Sequence, residues 1–228
     1  MDEGSPDTFG RMRDRAVWTY VAVVVLMIMP SLVLVIFNGH LELHAAINRI
    51  TSPELDPLFK YGTHLADGLV PTAFGIVFLF IRWRWFLAVA VSVLGSSIIV
   101  QLLKHSFFSE VDRPSMFLEG MPGLRLVQGV EMLHYNSFPS GHSTCAFSMC
   151  FVAAVLIGRP WAATALAILA GLLAFARIYL SQHFVEDVLC GAIIGTATSW
   201  FVYWWLYRSA FAQRPCLNGS LLRQVKAS

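Results

Sequence analysis

Charge is scarce in this chain of 228 residues: Asp, Glu, Lys and Arg together make up 13% of it, about half the share found in an ordinary soluble domain. The formal net charge is only +2 and there is no block of like charges, so a nucleic-acid partner is not expected. Hydrophobic residues make up 57% of the chain, which is more than a soluble core needs. The composition therefore favours a membrane protein over a very apolar soluble one.

Cysteine is also sparse. Of the four cysteines, three lie in apolar stretches and Cys216 lies near the C-terminal end, and none forms a CxxC pair or a zinc-binding spacing. This pattern is typical of thiols that act as small apolar side chains. We expect neither a metal nor a cofactor.

Six apolar stretches approach or reach the roughly 20 residues that a helix needs to cross a bilayer. They cover residues 17–37, 69–81, 86–103, 143–158, 161–176 and 188–207, and the second and fourth are among the shortest. Helices are expected because lipid offers the backbone no hydrogen bonds. The sequence therefore predicts an all-α, polytopic membrane protein with six transmembrane helices.

The distribution of Lys and Arg predicts the orientation of these stretches. Ten of the sixteen lie on the side that would carry both termini, Arg223 and Lys226 among them, and six lie on the other side. We therefore expect cytoplasmic termini. The three arginines at positions 11, 13 and 15 resemble the start of a signal peptide, but the apolar run that follows is long and residues 38–40 form no small-residue cleavage site. A retained helix is expected.

We divide the chain into three parts: residues 1–67 with the first helix and an outer segment, residues 68–208 with the main helical core, and a cytoplasmic tail at 209–228. In the outer segment, which covers residues 41–67, Leu43, Ile47 and Ile50 have helical spacing. That spacing is typical of a helix at the membrane interface or of one packed against the bundle. Residues 115–138 form a long loop that either caps a site or only connects two helices.

Three clusters of charged and polar residues lie at the ends of these stretches, all on the predicted outer face. They consist of Lys104 with Arg113-Pro114, of Pro139-Ser140-Gly141-His142, and of Arg177, His183 and Asp187. Charges beside a membrane are costly to keep. Their positions therefore indicate a functional site.

The cations and the Ser-Gly turn are residue types that bind phosphate. Arg113 and Arg177 can each hold two oxygens through a planar fork, while Lys104 acts as a point charge. Ser140 and Gly141 stand just before a predicted helix, where backbone N–H groups attract an anion. The missing side chain of the glycine would let that anion approach closely. Donors of this kind lower the barrier to phosphoryl transfer.

The two histidines suggest a division of labour. His183 and Asp187 are four residues apart and would share a face on a helix. The carboxylate would then fix the tautomer and leave the other ring nitrogen free to attack phosphorus. His142 would protonate the leaving oxygen and then activate water. Because Arg177 lies six residues before His183, we expect a helix break between them.

Each residue taken alone has a plainer explanation. Lys104 and Arg177 could be helix-end anchors, and Arg113 could pair with a neighbouring acid. Ser140 could only cap a helix, and the His–Asp pair could be structural. Their joint occurrence on one face of one membrane favours a site.

The three clusters resemble the signature motifs of the type 2 phosphatidic acid phosphatase superfamily, which are integral-membrane lipid phosphatases related to acid phosphatases and vanadium haloperoxidases. The resemblance covers residues 68–205 and makes residues 68–208 a phosphatase core with its motifs facing outward. Two departures stand out. Eight residues separate Lys104 from Arg113, where the family usually has six, and the third motif begins Ala176-Arg177 in place of Ser-Arg.

The resemblance implies a metal-independent reaction through a phosphohistidine. Carried across, His183 is the nucleophile, Asp187 orients it and His142 is the acid and base. The phosphate-binding residues are Lys104, Arg113, Ser140, Gly141 and Arg177.

The sequence thus predicts an enzyme of the bacterial inner membrane that removes phosphate from a lipid at the periplasmic face. From what the family handles, undecaprenyl diphosphate or phosphatidylglycerol phosphate is favoured, and lipid A is the alternative. The expected partners are the phosphorylated lipid and the bilayer. Two other hypotheses stay open: a phosphotransferase that passes the phosphoryl group to another lipid, and a transporter or binding protein for phosphorylated lipid.

Overall fold

A computed structural model of the chain describes residues 6–222, with side chains from residue 9 onward. Within that part the chain is helical and forms no strand, which confirms the predicted all-α class. The α-helices are α1 (Pro6–Phe37), α2 (His40–Asn48), α3 (Asp56–Gly62), α4 (Leu69–Ile81), α5 (Trp83–Ser106), α6 (Gly141–Ile157), α7 (Pro160–Tyr179) and α8 (Val185–Tyr207). Short 3-10 helices cover Thr63–Ala66, Pro114–Gly120, Ala210–Gln213 and Pro215–Asn218.

Each of the six predicted stretches lies in a helix, but the helices differ in length. Helices α1, α5, α7 and α8 are long and apolar enough to cross a membrane. Helix α4 has only 13 residues. It reaches the length of a membrane span only together with residues 56–66, across a bend of 43°. Helix α6 has 17 residues. The described residues therefore contain four candidate spans, or five with the bent pair, and the count of six stays a prediction.

The ends of the helices follow local rules. The Oγ atom of Ser140 accepts a hydrogen bond from the amide of Ser143 at 3.4 Å and caps the start of α6. Gly158 ends this helix with a positive φ of 66°, a conformation that glycine adopts without steric cost. Pro160 begins α7, where its missing N–H leaves no bond unmade. Helix α7 stops at Tyr179 and α8 starts at Val185, so the predicted break between Arg177 and His183 is present.

Helix α6 lies at the centre of the bundle and contacts α1, α5, α7 and α8. Its Phe147 and Phe151 are buried against Tyr20 of α1, whose hydroxyl donates to the carbonyl of Phe147 at 3.0 Å. On α8, the spacing of Gly191 and Gly195 predicts close helix packing. A Cβ on either glycine would overlap backbone oxygens of the α6 region. The missing side chains therefore allow α8 to approach α6.

The outer segment packs on the bundle and does not lie apart from it. Helix α2 buries Leu43, His44 and Asn48. The side chain of Asn48 accepts from the amide of Arg125 at 2.7 Å and donates to its carbonyl at 2.8 Å. The guanidinium of Arg125 binds both carboxylate oxygens of Asp56 at 2.8 and 2.6 Å. Arg125 therefore holds the loop at residues 115–138 against α2 and α3.

The glycine packing is testable by a matched pair of substitutions. Gly195→Ala places a methyl group against the carbonyl oxygen of Thr144, and neither backbone can easily move. We expect a loss of about 1–3 kcal/mol in stability, seen as a lower midpoint of thermal unfolding in detergent. Gly75→Ala on α4 meets nothing within 4 Å and should be neutral or slightly stabilising. Equal midpoints for the two variants would contradict the close approach of α8 to α6.

Candidate active site

His183 lies in the break between α7 and α8 and is only 2% exposed. Its Nδ1 lies 3.2 Å from Oδ2 of Asp187, in the first turn of α8. The same oxygen accepts the amide of Phe184 at 2.9 Å and the hydroxyl of Ser137 at 2.5 Å. The predicted pair is thus formed, but His183 precedes α8, so the expectation that both residues share one helical face is wrong. They meet across the N-terminus of the helix.

The other ring nitrogen of His183 faces a cation. Nη1 of Arg113 lies 3.4 Å from Nε2 of His183. Arg113 is 5% exposed, and its remaining donors bind the carbonyls of Tyr135, Asn136 and Gln182 at 2.8, 3.2 and 2.8 Å. Among the described residues it forms no ion pair with a neighbouring acid. Arg113 is therefore held by main-chain oxygens, and its charge is left for another anion.

Burial, together with the nearby cations, holds the pKa of His183 well below its usual value. The cations that contribute are Arg113, Arg177 and Lys104. A low pKa keeps the imidazole neutral at physiological pH. With the proton of Nδ1 directed at Asp187, the lone pair of Nε2 faces Arg113.

Lys104 lies close to Arg113, although eight residues separate them in the sequence. Its Nζ donates to the carbonyl of Asn136 at 2.9 Å, and the same carbonyl accepts from Arg113. Asn136 has a positive φ of 56°, a conformation that asparagine tolerates better than most residues. Lys104 occupies the last turn of α5, and residues 107–113 connect this helix to the 3-10 helix that starts at Pro114. The eight-residue spacing therefore still brings the two cations to one oxygen.

Arg177 occupies the last turn of α7 and is buried. Its Nη1 donates to the hydroxyl of Thr63 at 3.2 Å, while its Nε has no partner among the described residues. A buried guanidinium N–H without an acceptor costs free energy. An anion bound beside Arg177 would remove that cost.

The turn before α6 is only partly as predicted. Ser140 is fully buried, and its amide donates to the carbonyl of Asp187 at 2.9 Å. The expectation that this amide would point at an anion is therefore wrong, and the Ser140 hydroxyl acts as a helix cap. At Gly141 a Cβ would meet nothing within 4 Å, and the role of this glycine in binding phosphate stays a prediction. Space is open beside the first turn of α6, whose amides have no partner within the helix.

His142 lies at the same helix start, and its side chain is 33% exposed. Its Nε2 lies 2.7 Å from Oδ1 of Asp67, and Oδ2 of Asp67 lies 2.7 Å from Nδ1 of His64. In the part of the chain that the structure describes, no group of three His, Cys, Asp or Glu residues has the geometry of a metal site. The structure thus adds Asp67 and His64 to the surroundings of His142.

A second buried histidine, His44 of α2, contacts the segment between α7 and α8 that carries His183. Its Nε2 lies 3.1 Å from the hydroxyl of Ser181, a residue with a positive φ of 52°. Burial lowers the pKa of His44 to about 4, so it is neutral. The rings of His40 and His44 pack on Phe184 at centroid distances of 5.0 and 5.4 Å. The outer segment therefore fixes residues 181–184.

Sequence reasoning missed Ser137, Asp67, His64 and His44. Each acts through a contact between residues far apart in the chain, except for the contact between His64 and Asp67. Ser137, for example, lies 50 residues before Asp187. A lone serine in a loop carries no pattern that marks it. One signal was available: these residues fall in the two segments, 41–67 and 115–138, that the sequence left open between a functional and a packing role.

Removal of the Ser137 hydroxyl tests its role in holding Asp187. A hydrogen bond to a charged group contributes about 1.5–3 kcal/mol, so Ser137→Ala should lower the turnover rate about 10- to 100-fold and leave KM nearly unchanged. Ser143→Ala is the matched control, because the Ser143 hydroxyl is buried and has no partner among the described residues. Equal effects of the two substitutions on turnover would count against the assignment. Release of inorganic phosphate from a lipid phosphate is the measurement.

Three known bacterial proteins are similar in sequence to this chain. Lipid A 4'-phosphatase from Porphyromonas gingivalis is 25% identical over 167 residues, which cover 71% of this chain and 70% of that protein. An Escherichia coli K12 protein, provisionally named undecaprenyl-diphosphatase YbjG, is 33% identical over 112 residues, or 48% of each chain. Lipid A 1-phosphatase from P. gingivalis is 35% identical over 71 residues. These last two matches span 48% and 16% of the relatives' lengths.

Two solved structures share the fold. The crystal structure of Aquifex aeolicus LpxE superposes with a TM-score of 0.59 at 27% identity, over 73% of this chain and 95% of that one. A PAP2 type phosphatidylglycerolphosphate phosphatase from Bacillus subtilis superposes with a TM-score of 0.54 at 20% identity, over 85% and 99%. A family profile described as the PAP2 superfamily matches residues 85–211, more than half of the chain. The chain therefore belongs to the PAP2 superfamily.

Proposed function

We propose that this chain is an integral-membrane lipid phosphatase that works through a phosphohistidine on His183. One observation carries the proposal. The buried, neutral His183 has Nδ1 held by Asp187 and Nε2 directed toward Arg113. A nucleophile oriented in this way beside a cation fits attack on a phosphate.

In the first step, a terminal phosphate of the lipid binds beside Arg113, Arg177 and Lys104. The lone pair of His183 Nε2 forms a bond to phosphorus, the bond from phosphorus to the leaving oxygen breaks, and His142 supplies a proton to that oxygen. Charge spreads over the equatorial oxygens as the bonds change, and the three cations stabilise it. The positive charge that develops on His183 is balanced by Asp187.

In the second step, water replaces the lipid. His142, now neutral, takes a proton from that water while its oxygen attacks phosphorus. The bond between phosphorus and Nε2 breaks, its electron pair returns to the ring, and inorganic phosphate leaves. Both histidines are then in their starting states. The chain's own side chains supply every proton transfer in this scheme, so the scheme requires no metal.

The proposed setting is the bacterial inner membrane. Six spans, the bent α3–α4 pair and α6 included, would place both termini in the cytoplasm and the three clusters at the periplasmic face, as the excess of cations on the side of the termini supports. Two of those cations, Arg223 and Lys226, lie outside the described residues. The proposed boundary at residue 67 coincides with the start of the main helical core. The candidate site nevertheless includes residues from both sides of it, since Thr63 contacts Arg177 and Asp67 contacts His142.

The substrate is a lipid phosphate or diphosphate. Undecaprenyl diphosphate and phosphatidylglycerol phosphate are the substrates that the family resemblance favours, and the names of YbjG and of the B. subtilis structure support them. Two lipid A phosphatases among the relatives give lipid A equal support. The phosphate site alone does not discriminate, since the three lipids share this chemistry.

The main test is release of inorganic phosphate by the purified protein, in buffer with EDTA, from four lipids: undecaprenyl diphosphate, phosphatidylglycerol phosphate, phosphatidic acid and lipid A. We expect turnover on at least one of them, and a loss of more than about 1,000-fold in His183→Ala because the covalent step disappears. His105→Ala, at an exposed position on α5, is the control and should retain activity.

The outcomes of this test separate the alternatives. Lipid binding without phosphate release would favour a transporter or binding protein. Release only after addition of a second lipid as acceptor would favour a phosphotransferase. A His183→Ala variant that folds and still turns over would rule out the phosphohistidine, and activity that disappears in EDTA and returns with a divalent cation would rule out the metal-free scheme.

The role of His142 predicts a dependence on the leaving group. An alkoxide needs a proton on departure far more than a phosphate does, so His142→Ala should lower turnover of a monoester by about 10²- to 10⁴-fold and that of a diphosphate by less. The measurement compares phosphatidic acid with undecaprenyl diphosphate. A loss of the same size on both lipids would show that His142 is not the acid.

A further inference from the structure

Asp67 lies at the break between the 3-10 helix Thr63–Ala66 and α4, and its carboxylate stands between two imidazoles. Oδ1 is 2.7 Å from Nε2 of His142, and Oδ2 is 2.7 Å from Nδ1 of His64. We propose that Asp67 is a positioning residue for His142: it holds Nε2, stabilises the protonated ring and leaves Nδ1 to exchange the proton with the substrate. This inference rests on the proposed function and deepens it.

The backbone around Asp67 is fixed to the two helices that carry the site. Ala66 is buried in a cluster with Ala146 of α6 and Leu173 of α7. Thr63 accepts a hydrogen bond from Arg177 at 3.2 Å. Asp67 therefore does not reach His142 from a free loop, since Thr63 and Ala66 just before it are anchored in the bundle.

The arrangement parallels that of the proposed nucleophile with the ring reversed. In His183, Nδ1 faces a carboxylate and Nε2 faces the phosphate site. In His142, Nε2 faces a carboxylate, and among the described residues none forms a hydrogen bond with Nδ1. A carboxylate on one ring nitrogen determines which nitrogen exchanges a proton. For His142 that nitrogen is Nδ1.

The proton transfers balance with this assignment. In the first step the Nδ1–H bond breaks and its proton joins the leaving oxygen, which leaves His142 neutral with its remaining hydrogen on Nε2, toward Asp67. In the second step Nδ1 takes a proton from the attacking water. Asp67 keeps its negative charge throughout and opposes the positive charge of the ring.

Charged and titratable groups surround His142 from several elements. They are Asp67 with His64 behind it, Arg177 of α7, Lys104 of α5, and His183 of the loop before α8. Burial, together with these two cations, disfavours a protonated ring, and Asp67 is the acid that opposes them. Without Asp67, His142 would lose its proton at a lower pH. Above that pH the enzyme would lack its general acid.

The His142–Asp67 pair is partly exposed to solvent, whereas the His183–Asp187 pair is buried. The side chains of His142, Asp67 and His64 are 33%, 31% and 66% exposed. A general acid must regain a proton in each cycle, and contact with solvent makes that exchange possible. The contacts of His142 therefore suit an acid better than they suit a nucleophile.

The first experiment compares pH–rate profiles for a monoester, phosphatidic acid. Asp67→Asn should lower turnover about 10- to 100-fold and move the high-pH limb down by about one unit or more, because an opposite charge at this distance has that effect. Asp67→Glu keeps the charge and should keep the position of the limb. Glu54→Gln removes an exposed acid from the same outer segment and should change neither rate nor profile.

Several results would overturn the inference. An Asp67→Asn limb at the wild-type pH would show that the carboxylate does not stabilise the protonated ring. Faster turnover or a lower KM in Asp67→Asn would mean that the Asp67–His142 contact only blocks the site. A limb in Asp67→Glu that moves as far as that in Asp67→Asn would also contradict the proposal.

A second measurement needs neither a variant of Asp67 nor activity. In protein labelled with ¹⁵N-histidine, neutral His142 should carry its hydrogen on Nε2, with its signals assigned by their loss in His142→Gln. A hydrogen on Nδ1 would overturn the inference even if phosphate release is normal. If instead the tautomer is as expected and the wild-type protein releases no phosphate from any lipid, the proposed function fails while the Asp67–His142 contact stands.

Discussion

One carboxylate oxygen, Oδ2 of Asp187, joins three separate parts of the chain. It accepts hydrogen bonds from the hydroxyl of Ser137 in the long loop, from the amide of Phe184 at the start of α8, and from Nδ1 of His183 in the α7–α8 break. Because Asp187 is buried, its charge must be satisfied by such donors. The position of the loop, the start of α8 and the orientation of the proposed nucleophile all depend on this atom.

The buried cations of the site need hydrogen-bond acceptors, just as the buried carboxylate of Asp187 needs donors. They cannot be neutralised by acids without losing their attraction for a phosphate, yet a buried charge needs partners. Main-chain carbonyls meet both needs, since they accept hydrogen bonds and carry no net charge. The carbonyl of Asn136 binds both Lys104 and Arg113. The loop at 135–137 thus holds Lys104 and Arg113 through its carbonyls and the carboxylate of Asp187 through the hydroxyl of Ser137.

Features that depend on residues close together in the chain could be predicted from the sequence, whereas those that depend on distant residues could not. Helices follow from runs of apolar residues, and the break after Arg177 follows from a spacing of a few residues, so both were predictable. The bend before α4 was not, because residues 56–66 become part of a span only through their angle to the next helix. The hydrogen bond from Lys104 to the carbonyl of Asn136, which Arg113 shares, crosses 32 residues, and no local pattern encodes it. Ser140 was misjudged for a similar reason, since its amide bonds to the distant Asp187.

The two histidines of the site sit in environments of different rigidity, and this difference argues for their different roles. Asp187 is buried and three donors hold one of its oxygens, so the ring of His183 has one orientation. Asp67 is partly exposed and divides its two oxygens between His142 and His64. A nucleophile must meet phosphorus along one line and therefore gains from a fixed ring. An acid must give up a proton, lose its charge and recover both within each cycle. A carboxylate close to solvent can follow those changes of charge, whereas one sealed in the bundle would oppose them.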